Sequence, residues 1–258
     1  MEENTKEPED KIQELSRKVA ELEQASTKPA IPLPVAIVIA AALIAGSVMY
    51  AAVNFKNSVS QSDVAGAIPG TATNAVPANS EDHILGNKDA PVKIVEYSDL
   101  ECPFCKMFHQ TMHQIMAAYG PSGKVAWIYR HFPLDQLHPK ARSESRATEC
   151  AWEQGGNDAF WKFADTIFEI TPSNNGLDPA ELPRIAGILG LDKTRFVNCL
   201  AGSKYDLRIA QHEKYGIDSG GSGTPYSIIF TPKGNKLVVN GAQPYDDVKK
   251  LIDQALAE

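Results

Sequence analysis

Glu101-Cys102-Pro103-Phe104-Cys105 is the stretch on which the fold turns. An apolar run, Val92-Lys93-Ile94-Val95-Glu96-Tyr97, precedes it and reads as a buried strand. A run with helical spacing follows it, in which Phe108, Met112, Ile115 and Tyr119 recur at steps of four, three and four. The two cysteines therefore fall at a strand-to-helix turn, with Cys102 beside the helix N-terminus. Unpaired N–H groups and the positive end of the helix dipole stabilise a thiolate there, and the thiolate is the reactive form of cysteine. Pro103 suits the first helical position, which needs no amide hydrogen. Phe104 brings no charge. Two intervening residues let one helical turn carry both sulfurs within bonding reach, so the first reading is a dithiol/disulfide couple that exchanges with other proteins.

The same spacing is half of a zinc site. No second Cys-x-x-Cys exists, because Cys150 and Cys199 stand alone. His109 and His113 follow Cys105 at helical spacing, so one helix face would offer Cys105, His109 and His113 to an ion. The alternative function is thus a metal-binding or chaperone module that uses Cys102, Cys105 and His109 without redox turnover. The His-Glu-x-x-His pattern of catalytic zinc is absent. A purely structural bridge between Cys102 and Cys105 would close too short a loop to constrain much chain entropy. Placement favours redox chemistry, with no metal and no cofactor.

The chain has 258 residues, room for one ordinary domain and its appendages. A net charge of −7 and the lack of a lysine–arginine cluster argue against nucleic acid as a partner. Residues 1–30 are polar and mostly acidic. Ile12, Leu15, Val19 and Leu22 fall at coiled-coil spacing there, but so short a repeat reads as a solvated, partly helical cytoplasmic tail. The segment 31–53 reads as a transmembrane anchor: Val35 to Val53 carries no charge and spans about 28 Å as a helix, one hydrocarbon core. Its length, and the long acidic segment before it, favour an anchor over a cleaved signal peptide. Arg17, Lys18 and Lys28 precede the span against Lys56 after it, which places the N-terminus inside. Residues 54–82, rich in Ser, Ala, Asn, Gly and Pro, read as a flexible linker. The globular part, 83–258, then begins.

A second strand is expected over Lys124–Arg130, parallel to the first. Helical patterns follow over His138–Gln154, Asp158–Ile170, Pro179–Leu189, Asp192–Leu200 and Tyr205–Tyr215, with glycines between them. They make a helical insertion of about 135–216, with Trp152, Phe160, Trp161 and Phe196 as its core. Strands Tyr226–Phe230 and Lys236–Asn240 form a hairpin, and a helix over Tyr245–Ala257 closes the chain. Gly220–Gly223 lacks the ending of a phosphate-binding loop, and a strand rather than a helix follows it.

Four groups of residues together resemble the DsbA-like branch of the thioredoxin superfamily, in its membrane-anchored form. They are Gly86-Asn87 with Ala90-Pro91, Glu96-Tyr97-Ser98-Asp99-Leu100-Glu101-Cys102-Pro103-Phe104-Cys105, Arg130-His131-Phe132-Pro133-Leu134, and Gly223-Thr224-Pro225. The resemblance covers roughly residues 83–258. It implies an α/β thioredoxin fold with a helical insertion, acting on exported proteins in an oxidising compartment. It also implies Cys102 as nucleophile and Cys105 as resolving thiol; Pro103 and Phe104 between them add no positive charge, which gives less support for an extreme oxidant than a histidine there would. It makes Glu96 a buried acid passing protons to or from Cys105, and Pro225 a cis-proline that lets Thr224 offer its backbone to a bound peptide. A membrane redox partner and contact with the bilayer through residues 35–53 complete the expectation. His109 reads as a surface residue. Cys150 and Cys199, on two helices of the insertion, read as a structural disulfide in such a compartment.

Overall fold

The computed structural model describes residues 74–258 and, in the N-terminal segment, Glu14, Arg17, Lys18 and Glu21. These four are helical, with Lys18 Nζ 2.9 Å from Glu14 Oε1. The coiled-coil positions Ile12, Leu15, Val19 and Leu22, the span 35–53 and residues 54–73 of the linker lie outside the described residues. Among the described residues no helix is long and apolar enough to cross a membrane.

The C-terminal unit runs β1 (His83–Gly86), β2 (Val92–Ser98), α1 (Pro103–Tyr119), β3 (Val125–His131), α2 (Ala141–Ile170), α3 (Glu181–Ile188), α4 (Lys193–Leu200), α5 (Asp206–Asp218), β4 (Tyr226–Phe230), β5 (Lys236–Asn240) and α6 (Tyr245–Leu256). The sheet order is β1-β3-β2-β4-β5. β2 and β3 are parallel, with Val92 opposite Val125 and Ser98 opposite His131, and the other pairs are antiparallel. This is the α/β domain with a helical insertion that the sequence suggests, α2 to α5 forming the insertion between β3 and β4.

Strand alternation divides the core. Val92, Ile94, Trp127, Tyr129 and Ile229 join the larger cluster, with Phe108, Met112 and Ile115 of α1, Val248 and Ile252 of α6, and the aromatic side chains of α2. Val95, Tyr97, Ala126, Ile128 and Ile228 form the other, with Phe132 and Tyr226. Both faces of β2 are buried, which is why it reads as a near-continuous apolar run. Glu96 shares the parity of Ile94 and so points into the larger core.

Two glycines fix local geometry. Gly156, at φ +67°, breaks the helical geometry inside α2, so the two helices expected over 138–154 and 158–170 join across a kink. Gly86, at φ +99°, ends β1 where a Cβ would lie 3.0 Å from the Val125 carbonyl oxygen.

The structure corrects the boundary at 83. Ala75 is buried, and the buried Arg130 guanidinium donates to the carbonyl oxygens of Val76 and Pro77 at 2.8 and 2.9 Å and to both carboxylate oxygens of Asp82. The last residues assigned to the linker are therefore packed on the domain, because a buried guanidinium needs those acceptors. β1 is a further addition. Its His83-Ile84-Leu85-Gly86 is too short to show a period and is held by pairing with β3.

Candidate active site

β2 ends at Ser98 and the chain turns into α1 through Asp99-Leu100-Glu101-Cys102. Cys102 is the N-cap, with extended backbone, and Pro103 opens the helix. Asp99 makes the turn: its carboxyl oxygens accept from the Glu101 N–H at 2.8 Å and the Leu134 N–H at 2.7 Å, and its Oδ2 lies 3.0 Å from His138 Nδ1. Cys102 and Cys105 are both thiols. Cys102 is 4 % exposed and Cys105 fully buried, whereas Phe104 and Met107 are 59 % and 58 % exposed. Exposed apolar side chains therefore follow Cys102, the less buried of the two cysteines.

Thr224-Pro225 is a cis peptide, and the Thr224 carbonyl oxygen lies 3.5 Å from Cys102 Sγ. The turn before β4 is thereby brought against the helix N-terminus, 122 residues away in sequence. Cys105 Sγ accepts from the Asp99 N–H at 3.4 Å.

The two thiols differ. The Cys105 thiol donates to Cys102, and the N–H groups of Cys105 and Phe104 add to it; against the opposing effect of burial they hold Cys102 down at about 6. Burial, and then the neighbouring Cys102, push Cys105 well above the ordinary cysteine range.

Glu96 is fully buried, its Oε2 accepting from Trp127 Nε1 at 2.8 Å while Oε1 has no protein partner. Burial raises its carboxyl to about 7. A buried acid that titrates near neutrality, and that interacts electrostatically with Cys105, can hold or release a proton during exchange.

Several site residues carry no legible sequence signal. Glu101 is fully buried, and its carboxyl oxygens accept from the N–H groups of Asn175, Gly176 and Leu177 at 2.7, 3.2 and 3.3 Å. Ser173, Asn174 and Asn175 all have positive φ, which turns these N–H groups inward. Lys140 Nζ holds the same loop through the carbonyl oxygens of Asn175 and Leu177, both at 2.7 Å. Beside Glu101, burial and then that neighbour raise Glu144 to about 9, so it is protonated at neutral pH. The residue before Cys102 thus clamps the insertion to this turn. Acids in Asp-Leu-Glu-Cys were visible in the sequence, but their burial was not.

His109 is a correction: it is buried rather than on the surface, packed on Trp127 and Phe168 at centroid distances of 5.0 and 4.4 Å. Its Nε2 lies 2.7 Å from Asp165 Oδ1 on α2. The set Cys102, Cys105 and His109 does not converge, and among the described residues neither cysteine belongs to a group able to share an ion. Cys150 of α2 and Cys199 of α4 are joined by a disulfide inside the insertion. Trp161, Phe160 and Phe196 are buried there, with Trp152 half-buried.

The family model described as Thioredoxin matches residues 78–254. Among solved structures, the chain is similar to Pseudomonas aeruginosa DsbA2, at 28 % identity and TM-score 0.58, over 71 % of this chain and 98 % of that one. It also resembles a single-substitution form of Wolbachia pipientis alpha-DsbA1, at 25 % identity and TM-score 0.60, over 71 % and 94 %. Oxidised BdbD from Bacillus subtilis, at 23 % identity and TM-score 0.62 over 71 % and 97 %, shares the fold. A curated relative, Na(+)/H(+) antiporter NhaA 3 of Salinispora tropica, is 36 % identical over 165 residues, 64 % of this chain and 24 % of that protein. The chain thus spans about a fifth of the length of the curated relatives it matches.

Proposed function

Because this chain belongs to the thioredoxin family as a DsbA-like thiol–disulfide oxidoreductase, we propose that it oxidises the thiols of exported proteins outside the cytoplasmic membrane. Cys102 is the exchanging sulfur and Cys105 the resolving one. The observation that carries this reading is the placement of the two thiols, Cys102 at the N-cap of α1 against the Thr224 carbonyl and Cys105 a turn further in and fully buried, an asymmetry that lowers the first pKa and raises the second.

The oxidised enzyme holds a Cys102–Cys105 disulfide. A client thiolate attacks Cys102 Sγ, the S–S bond breaks, and Cys105 leaves as a thiolate. Cys105 does not remain charged in its buried site, so it takes a proton, and Glu96 supplies it. A second client thiolate then attacks the client sulfur of the mixed disulfide and Cys102 leaves. The client has lost two electrons and gained a disulfide, and the enzyme is the dithiol. With a pKa of about 6, Cys102 is about nine-tenths thiolate at pH 7, which makes it a good leaving group and stabilises the reduced enzyme. That favours oxidation of clients over reduction. A membrane redox partner returns the enzyme to the disulfide. The exposed Phe104 and Met107, with the Thr224 carbonyl, give an extended client peptide an apolar surface and a backbone acceptor.

Location rests on the uncharged run 35–53, on the basic residues before it, and on the Cys150–Cys199 bridge, which suits an oxidising compartment. The test is trapping in cells. Cys105→Ser keeps the sulfur that forms mixed disulfides and removes the one that resolves them, so it should accumulate reductant-sensitive adducts with exported proteins. Cys102→Ser should accumulate few. Equal trapping by both variants contradicts the assignment of roles.

A further inference from the structure

One face of α1, a turn beyond the active cysteines, carries a cluster that thiol exchange does not use. His109 and His113 stand at i and i+4, and Asp165 reaches them from α2. His109 Nε2 and His113 Nε2 lie 2.7 and 2.9 Å from the same atom, Asp165 Oδ1, and 3.1 Å from each other. Trp127 packs against both imidazoles, at centroid distances of 5.0 and 5.4 Å, and Phe168 against His109, so packing holds the rings in place.

Asp165 Oδ1 can accept from both Nε2–H groups, so hydrogen bonds hold the triangle closed when it is empty. The same three atoms are ligand atoms of the types that bind transition ions, and they converge on one point. From the three edges, a point about 2.0–2.1 Å from every atom, the usual imidazole–zinc distance, lies about 1 Å off their plane. The angles at that point are about 80–100°, those of one face of an octahedron. His113 and Asp165 are half-buried, with side-chain exposures of 42 % and 40 %, so the remaining positions open toward water.

We propose that His109, His113 and Asp165 form a binding site for a divalent first-row transition ion, held by two imidazoles and one carboxylate and joining α1 to the insertion. Cys105 takes no part, unlike the ligand set that helical spacing alone suggests. The comparable cluster of His83, His131 and Glu149 is fully buried and already carries a cation, Arg208 Nη1 at 2.8 Å from Glu149 Oε2, which opposes a metal ion.

Zinc titrated into the full chain, free of any histidine tag, tests this by calorimetry. The Cys102–Cys105 pair is first oxidised, so that no thiol can ligate. The site predicts one zinc per chain, weakened at least about tenfold by His113→Ala and by Asp165→Asn. Zinc should also raise the melting temperature of the oxidised wild type more than that of either variant, which shows that each variant is folded and has lost the site. Absence of zinc from the oxidised wild type, binding by the reduced chain alone, or binding unchanged in folded variants would overturn the proposal.

Discussion

The chain holds two cysteine pairs, and their surroundings differ in the features on which thiol reactivity depends. Cys102 and Cys105 share one helical turn at an N-terminus, the first 4 % exposed beside a cis-proline turn and the second fully buried. Cys150 and Cys199 lie 49 residues apart on α2 and α4, bonded within the insertion. The first pair closes a loop too short to stabilise the fold, yet its two environments split the pKa values. The second closes a long loop and has no helix N-terminus, cis-proline or buried acid aimed at it. Only the second pair is bonded here; the first stands as two thiols in unequal environments, which the proposed exchange requires.

The largest effect that tests this contrast is on activity. Cys102→Ala should reduce client oxidation by more than about a thousandfold, since the nucleophilic and leaving sulfur is gone. Joint replacement of Cys150 and Cys199 by alanine should leave the rate per folded molecule within about twofold. Loss of activity in folded protein lacking the second pair would break the distinction. Stability should show the reverse order. Removing the long-loop bridge should cost up to about 4 kcal/mol in denaturant unfolding, by the loop-entropy account. Reducing only Cys102–Cys105 should cost far less.

A smaller effect concerns Glu96. Glu96→Gln keeps the shape and the acceptor for Trp127 but cannot give up a proton, so exchange at pH 7 should slow by about a hundredfold. Its stability profile has a definite sign. The folded protein holds this proton up to about 7, while an unfolded glutamate releases it near 4.3. The folded state therefore binds more protons between those values, and stability should fall as pH rises through that window. Glu96→Gln should flatten that slope, and an unchanged slope would show that Glu96 does not carry the proton.

The sequence made the regular elements legible because their signals are local. Both faces of β2 are apolar, Pro103 marks the start of α1, and Gly155-Gly156 marks the kink of α2. The expected β4 and β5 match the observed bounds. What escaped depends on distant partners. Ala75 and Asp82 looked like linker because Arg130, 48 residues beyond Asp82, is what ties that segment down. Nothing near Glu101 marks it as buried, because the loop that receives it lies more than seventy residues later. His109 looked exposed because Asp165 and Phe168, on the insertion, are what cover it. Periodicity reports a residue's own element, and these roles are set by another.

The pH dependence of alkylation at each active-site sulfur tests the central claim most directly. In the reduced chain, modification of Cys102, followed by peptide mass, should rise with pH and reach half its maximal rate near pH 6, the thiolate being the reacting form. Cys105 should resist alkylation until the protein unfolds. Equal rates at the two sulfurs, or a Cys102 midpoint near the unperturbed value of about 8.5, would contradict the account.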